Sequence, residues 1–474
     1  MVVVVILTVL ASVALVVAAH WYVWRRLVRD TTEGKGTARR LGTVALVVLP
    51  LLTVVGVGVG RSDTPFLLQQ VLAWPAYMWL AVLLYLVLAL VVGEAVRPLL
   101  RRLTDRRETA REPAPDLVAV GTASAPVSTG VSTAGGTSTA EAPARAGAAR
   151  TASSASAASS ASSASSASSA SSASGPASGA ISDGPPDAPS SRPDTVSVPS
   201  PSRRLFVSRV VGGAAATAAL ATVGYGTYGV MRGPRIKRVT VPLARLPRSA
   251  HGFRIAVVSD IHLGPILGRA HAQRIVDTIN SAGPDLIAVV GDLVDGSVED
   301  LGPAAEPLAG LEARHGAFFV TGNHEYFSGA DAWVDHVREL GLRPLENERV
   351  EIPGFDLAGV NDVAGESEGA GPDFAKALGD RDRTRASVLL AHQPVVIDDA
   401  VRHGVDLQLS GHTHGGQLWP GSYLAELANP TVAGLERYGD TQLYVSRGAG
   451  AWGPPVRVGA PSDITLVQLA SRQA

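Results

Sequence analysis

"LQLSGHTHGGQLWP", residues 407–420, joins a short apolar run to two histidines that stand two positions apart between glycines. The run has the length and composition of a buried β-strand, and the glycines after it indicate a turn. His412 and His414 therefore follow the end of a strand, where open α/β sheets tend to bind ligands. The chain has eleven histidines in all, so two in one turn indicate a site.

The same pattern occurs four more times upstream, where an apolar run ends and residues of metal-ligand type follow. The residues at these strand ends are Asp260 and His262, Asp292 and Asp295, Asn323 and His324, and His392. Taken singly, an aspartate after a strand is often a helix cap, and a histidine there is usually a structural residue. Five such strand ends in succession predict one shared site.

The spacing of these residues is suited to metal binding. In an extended backbone, side chains two residues apart point to the same side, so Asp260 and His262 can approach one cation together. The bases of His412 and His414 would lie roughly 6–7 Å apart, which suits two neighbouring cations. Nitrogen and oxygen donors without sulfur favour Mn, Fe, Co, Ni or Zn, and the many imidazoles disfavour Mg or Ca alone. The pattern predicts two divalent transition-metal ions.

Composition excludes several classes of site. The 474 residues include no cysteine, so disulfides, thiolate metal sites and cysteine nucleophiles are excluded. The formal net charge is −1, which gives no indication of nucleic-acid binding.

Three apolar runs in the first hundred residues are each long enough to cross a bilayer as a helix. They cover about 2–24, 41–60 and 71–93, so residues 1–100 are predicted to form three transmembrane helices. A signal peptide followed by buried helices is the alternative. Arginine-rich segments follow the first and third runs, and the positive-inside rule makes these two connections cytoplasmic.

Residues 101–202 are rich in Ala and Ser and offer little apolar surface, which predicts a disordered linker. Residues 203–231 form a fourth apolar segment that begins with Arg203 and Arg204. We interpret it as a fourth transmembrane helix, or as an internal twin-arginine-like export signal. Either interpretation puts the rest of the chain on the extracytoplasmic side of the cell membrane.

Residues 236–474 are predicted to form a globular α/β domain. Its short apolar runs alternate with helix-like stretches at 269–282 and 331–340. Fully apolar short strands separated by helices are typical of a sheet that is covered on its faces.

Five ordered motifs in this region resemble the calcineurin-like metallophosphoesterase superfamily: "DIH", "GDLVD", "GNHE", the histidine of "AHQP", and "GHTH". "GHTHGGQLWP" and "YVSRGAGAWGPPVRVGAPSDITLVQL" are similar to the membrane-associated, YkuE/YaeI-like phosphoesterases. The resemblance covers roughly residues 250–470 and implies a two-sheet β-sandwich flanked by helices. Gly296 stands where phosphoprotein phosphatases have an arginine, which argues against that branch.

The resemblance also implies a role for each residue of the site. The first metal would be held by Asp260, His262, Asp292 and His414. Asp292 would bridge to the second metal, which would be completed by Asn323, His392 and His412. His324 would lie beside the phosphate as the catalytic histidine, and Asp295 would orient its ring.

The sequence thus predicts a membrane-anchored dinuclear phosphoesterase that hydrolyses a phosphodiester or phosphomonoester, with a phosphodiester favoured, through a metal-bound hydroxide. Its expected partners are the membrane and a phosphate-ester substrate of soluble, lipid or cell-envelope origin. The rival hypothesis is a non-catalytic membrane sensor or scaffold, which is disfavoured because every expected ligand position is filled. Arg447 and Trp452 are candidates for the pocket wall, with packing or surface roles as the alternative.

Overall fold

The computed structural model describes residues 2–34, 36–60, 64–109 and 203–473. The predicted linker at 101–202 lies outside the described residues, apart from 101–109, which continue the third helix.

Four helices in the described residues are long and apolar enough to cross a membrane. They are α1 (Val2–Val23, continued by a π-helical segment, Trp24–Arg29), α2 (Thr37–Val59), α3 (Phe66–Thr109) and α4 (Arg203–Met231). The third helix continues beyond the predicted apolar run at 71–93. Glu94 is accommodated because Arg26 Nη2 donates to its carboxylate at 2.9 Å.

Helices that follow one another in the described chain pack antiparallel. Trp24 Nε1 donates to Thr43 Oγ1 at 2.9 Å, which pairs the end of α1 with the start of α2. Gly93 of α3 lies so close to α4 that an added Cβ would be 2.7 Å from the Val211 side chain. The later part of α3 therefore lies beside the start of α4. The end of α1 and the starts of α2 and α4 therefore lie at one end of the bundle.

That end of the bundle carries a polar cavity of about 400 Å³. We call it the basic end, and the residues that line its cavity are Arg25, Arg26, Asp30, Arg97, Arg204 and Ser208.

The rest of the described chain forms two mixed six-stranded sheets. In the order β1-β12-β2-β3-β4-β5, the first sheet contains β1 (Arg235–Leu243), β2 (Arg254–Val258), β3 (Leu286–Val290), β4 (Ala317–Val320), β5 (Arg343–Pro344) and β12 (Asp463–Ser471). In the order β10-β11-β9-β8-β7-β6, the second contains β6 (Glu348–Ile352), β7 (Phe355–Gly359), β8 (Ala386–Leu390), β9 (Leu407–Ser410), β10 (Gly434–Tyr438) and β11 (Thr441–Val445). The helices of this region are α5 (Arg269–Ala282), α6 (Val298–Ala305), α7 (Asn323–Ser328), α8 (Ala330–Glu339), α9 (Phe374–Leu378), α10 (Ile397–Arg402) and α11 (Ser422–Ala425).

The two sheets pack face to face, with helices on their outer faces, as the resemblance implied. Successive side chains of a strand point to opposite faces of its sheet. Ile255 and Val257 of β2 therefore enter the core between the sheets, whereas Ala256 and Val258 pack under the helices that cover the first sheet. Both faces of β2 are covered, which explains why its sequence is apolar without alternation.

Candidate metal centre

The predicted site residues follow the carboxyl ends of strands that are neighbours in the two sheets. β2, β3 and β4 are adjacent in the first sheet, and β8 and β9 are adjacent in the second. The structure brings all nine predicted residues together at one edge of the sandwich: Asp260, His262, Asp292, Asp295, Asn323, His324, His392, His412 and His414.

One cluster of ligand atoms belongs to Asp260, His262, Asp292 and His414, and all four side chains are buried. His262 Nε2 lies 3.0 Å from His414 Nε2 and 3.7 Å from Asp292 Oδ2. His414 Nε2 lies 3.3 Å from Asp260 Oδ1. Two imidazoles and two carboxylates thus converge, which is a donor set suited to a transition-metal ion.

A second cluster shares Asp292 with the first and adds His392 and His412. His392 Nε2 lies 3.1 Å from Asp292 Oδ2. Asn323 Oδ1 lies 3.0 Å from His412 Nδ1 and so borders this cluster. Asp292 is the residue common to both groups, which is the arrangement that a carboxylate bridging two cations requires.

The backbone at these residues differs from the extended conformation expected from the spacing. Asp260, His262, Asp292, His412 and His414 all have positive φ, between 48° and 72°. Such left-handed conformations cost on the order of 1 kcal/mol or more each for residues other than glycine. The paired residues lie in tight turns after the strands, so His412 reaches the second cluster while His414 reaches the first.

Two glycines of the motifs are required by close packing against the carboxylates. A Cβ at Gly322 would lie 2.3 Å from Asp292 Oδ1, and a Cβ at Gly411 would lie 2.4 Å from Asp260 Oδ2. Glycine therefore precedes Asn323 and His412 because a larger residue would collide with a carboxylate of the centre.

The contacts of His392 indicate that this cluster fits a cation. Its Nδ1 donates to Val290 O at 2.9 Å, because a carbonyl oxygen can only accept. In the neutral ring, Nε2 then carries a lone pair, which faces Asp292 Oδ2, and this buried nitrogen has no partner with hydrogen-bond geometry. A lone pair facing a carboxylate is repulsive unless a proton or a metal ion lies between them.

Without metal, protons supply the positive charge that the carboxylates require. Burial lowers the pKa of His262, but Asp295, Asp292 and Asp260 outweigh it and raise that pKa to about 9. Burial also opposes the charged form of His392, yet Asp292 and Asp260 raise its pKa well above the ordinary value. These are the protons that a bound cation would displace, since metal ligands bind in their deprotonated form.

The two histidines of the turn have the opposite tendency. Burial, reinforced by His392, lowers the pKa of His412 to about 4. Burial, reinforced by His262 and Arg457, lowers the pKa of His414 well below the ordinary value. Both rings are therefore neutral at pH 7, and each carries one lone pair.

His324 lies beside the centre and is held by the same carboxylate as His262. Asp295 Oδ1 lies 2.7 Å from His324 Nδ1 and 2.8 Å from His262 Nδ1. The ring of His324 meets that of His262 edge to face, with centroids 4.7 Å apart. Asp295 therefore positions two histidines, whereas the sequence predicted that it positions one.

Sequence reasoning gave no role to Glu325 of "GNHE", which is completely buried. Its carboxylate accepts from the backbone N–H groups of Asp292, Leu293 and Gly322 at 3.0, 2.7 and 2.6 Å. Glu325 thus ties the turn that carries Asp292 to the start of α7. Burial and the charge of Asp292 raise its pKa to about 7. The signal in the sequence was its position three residues after Gly322, at the first turn of a helix.

Sequence reasoning also missed Arg457, and it considered Arg447 and Trp452 instead. Arg457 is buried; its Nη1 donates to His414 O at 3.0 Å, and its Nη2 lies 3.1 Å from His414 Nδ1. The ring of Trp452 lies 5.8 Å from that of His324, so Trp452 does border the centre. Arg447 packs near Gly415 and lies 3.9 Å from the Asp463 carboxylate.

Residues 253–416 match the calcineurin-like phosphoesterase family. A "Transmembrane protein with metallophosphoesterase domain" from Danio rerio is 39% identical over 267 residues, which are 53% of this chain and 61% of that protein. An "Uncharacterized metallophosphoesterase" from Aquifex aeolicus is 34% identical over 50% of this chain and 92% of that protein. The metallophosphoesterase YkuE from Bacillus subtilis is 28% identical over 57% of this chain and 98% of that protein.

The matched family region contains all nine residues of the centre. The match to the Aquifex protein covers nearly all of that relative at more than 30% identity. On these matches, the chain belongs to the calcineurin-like metallophosphoesterase family.

Proposed function

We propose that this chain hydrolyses phosphate esters at a dinuclear metal centre. One observation carries the proposal: two clusters of buried nitrogen and oxygen ligands share Asp292, and His324 lies beside them. A sensor or scaffold that had lost catalysis would be expected to lack a ligand or this histidine. Here every position of both clusters is filled.

Asp260, His262, Asp292 and His414 would hold one divalent cation, and Asp292, Asn323, His392 and His412 would hold the other. The donors suit Mn, Fe, Co, Ni or Zn. When bound, the cations would supply Lewis acidity and lower the pKa of bound water toward neutrality. The two aspartates among these ligands offset only part of the four positive charges of two divalent cations. The remaining positive charge suits an anionic phosphate.

His324 is the proposed general acid for the leaving oxygen. Asp295 holds its Nδ1, which leaves Nε2 as the ring nitrogen for the substrate. Phe327 and Trp452 flank the ring, with centroids 5.6 and 5.8 Å away, and restrict its movement. General acid catalysis by a positioned histidine typically contributes about 10²–10⁴-fold in rate.

We further propose that the helices anchor the domain in the cell membrane with the centre on the extracytoplasmic side. Arg25, Arg26 and Arg97 cluster at the basic end, and β1 begins four residues after the opposite end of α4. The positive-inside rule assigns the basic end to the cytoplasm and the domain to the other side. A phosphodiester from a lipid or from the cell envelope is the substrate that such a location favours.

The proposal is tested on the purified full-length protein after removal of metal. Adding back Mn, Fe, Co, Ni or Zn should restore hydrolysis of bis(p-nitrophenyl) phosphate, and p-nitrophenyl phosphate compares the diester with a monoester. Metal binding without hydrolysis of either ester would favour the sensor or scaffold. Full activity without metal would refute the dinuclear mechanism.

A further inference from the structure

The segment directly after His414 connects the candidate centre to the helices. We call residues 417–427 the 417–427 loop. Its first residue, Gln417, donates from Nε2 to Trp452 O at 2.9 Å and accepts from Trp452 N at 3.0 Å. The loop is thereby joined to the second segment that borders His324.

The 417–427 loop and the segment that follows Trp452 both pack against the helices that can cross a membrane. Tyr85 Oη on α3 donates to Trp419 O at 3.0 Å. Leu418, Val456 and Val458 belong to an apolar cluster otherwise built from α1, α2, α3 and α4. This contact is continuous with the packing of the helix bundle.

The position of Tyr85 along α3 gives the depth of this contact. Tyr85 precedes Glu94, which contacts Arg26 of the basic end, by nine residues, which is about 14 Å at the helical rise of 1.5 Å per residue. The hydrocarbon core of a bilayer is about 30 Å thick. If the helices cross the membrane from the basic end, Trp419 meets α3 near the middle of the hydrocarbon layer.

The exposed side chains of the 417–427 loop agree with that depth. Trp419, Tyr423, Leu424 and Leu427 have 51%, 62%, 72% and 84% of their surface exposed. Glu426 is the only charged residue in the loop. Large apolar side chains on a loop with one charge are unfavourable in water and favourable in a bilayer.

Two exposed aromatic side chains border the centre itself. Phe327 and Trp452 are 76% and 55% exposed, and both rings contact that of His324. A molecule entering past these rings would meet apolar walls before it reached the metal ligands. Such an entrance suits the acyl or prenyl part of an amphipathic molecule.

We propose that the 417–427 loop is inserted in the bilayer and that the substrate is a lipid phosphate ester. The apolar chain of the lipid would stay in the membrane while its phosphate reaches the centre. This inference rests on the proposed function, and it adds the substrate class and the surface that selects it.

Insertion is tested first, without reference to catalysis. Because the chain has no cysteine, Leu424→Cys gives a single site for a nitroxide spin label on the full-length protein in phosphatidylcholine vesicles. Val401→Cys on α10 is the matched control, since Val401 is an exposed apolar residue outside the loop. The label at 424 should collide more with oxygen and less with a water-soluble nickel chelate than the label at 401. Equal collision rates at both sites, or protection of 424 from both reagents, would overturn insertion.

Substrate class is tested with matched esters on the same vesicles. Dioleoyl phosphatidic acid and dioleoyl phosphatidylglycerol are compared with their water-soluble dibutanoyl forms. The double variant Leu424→Glu, Leu427→Glu should lower turnover of the dioleoyl esters by at least about tenfold. It should leave bis(p-nitrophenyl) phosphate hydrolysis within about twofold, and Val401→Glu should change neither. No turnover of the dioleoyl esters, or equal loss on both kinds of substrate, would overturn the substrate class.

The two tests separate this inference from the proposed function. If the parent protein failed to hydrolyse the aryl ester with any metal, the proposed function would be refuted, and the substrate class with it. The collision rates at 424 would still decide insertion. If the parent hydrolysed the aryl ester and the label lay in water, only the further inference would be refuted.

Discussion

The contacts of Asp295 make Asp295→Asn an informative change, because one carboxylate oxygen serves two histidines. Oδ1 lies 2.8 Å from His262 Nδ1 and 2.7 Å from His324 Nδ1. Asparagine keeps an oxygen of the same size but removes the charge, so both contacts weaken together. One contact supports a proposed metal ligand and the other supports the proposed general acid.

The expected magnitude follows from the strength and the exposure of these contacts. Hydrogen bonds to charged groups contribute about 1.5–3 kcal/mol, and loss of such a supporting partner typically costs about 10–100-fold in metal affinity or activity. Because 23% of the Asp295 side chain is exposed, solvent screens its charge, and the lower values apply. We expect about tenfold weaker metal binding and about tenfold slower turnover at saturating metal.

The assay is a double-mutant cycle with His324→Ala. Titration of Mn²⁺ into the metal-free protein gives affinity, and turnover is measured on a p-nitrophenyl diester and on an alkyl diester, whose leaving group needs a proton. The double variant should bind metal as weakly as Asp295→Asn and should turn over the alkyl diester as slowly as His324→Ala. Asp331→Asn, at an exposed position in α8, is the matched control and should change neither quantity.

Two results would refute this reasoning. If Asp295→Asn left the affinity for metal unchanged, the contact with His262 would have no role in metal binding. If the double variant were a further tenfold slower than His324→Ala at saturating metal, Asp295 would act on turnover by a route other than His324.

Three other predictions follow from the same structure. Asp292→Ala should empty both clusters by elemental analysis, whereas His324→Ala should keep its metal and lose about 10²–10⁴-fold in rate on the alkyl diester; loss of both metals in His324→Ala would contradict the assignment. Protease added to intact spheroplasts should digest the two-sheet domain and spare residues 112–199, and the reverse pattern would invert the topology. Burial lowers the pKa of His271 to about 3, so as pH falls below about 6.5 the unfolded chain takes up a proton that the folded chain does not, and stability falls. In the parent protein this difference should lower the free energy of unfolding by about 2 kcal/mol between pH 7.5 and pH 5. His271→Met should remove that loss, so the melting temperature of the variant at pH 5 should be higher than that of the parent. An unchanged acid sensitivity would count against His271 as its origin.

Much of the fold was predictable because its central strands are buried on both faces. The apolar runs that precede the site residues predicted β2, β3, β4, β8 and β9. β1 was missed because it is an edge strand with Arg235, Lys237 and Arg238, and it is recognised only by its parallel pairing with β12 along nine residues. Local pattern carries no information on a partner more than two hundred residues away.

The nine residues of the centre were predictable because strand ends that share an edge of a sandwich bring their following residues together. The left-handed backbone of five of them was not, since the spacing was equally compatible with extended chain. Glu325 and Arg457 were missed for a different reason. Each acts through the backbone of a distant segment, Glu325 on Asp292 and Arg457 on His414, and no periodicity in the sequence encodes such contacts.

The antiparallel contact between α3 and α4 has a consequence for how the chain can be divided. The contacts described between these helices involve residues before 112 and after 202, on both sides of a long connecting segment. Covalent continuity through that segment contributes nothing to the contacts themselves. Two separately encoded polypeptides, residues 1–111 and 200–474, should therefore find each other in the membrane and copurify as a noncovalent complex. A gene split at this point would give a protein whose two halves can be supplied, labelled or withdrawn independently.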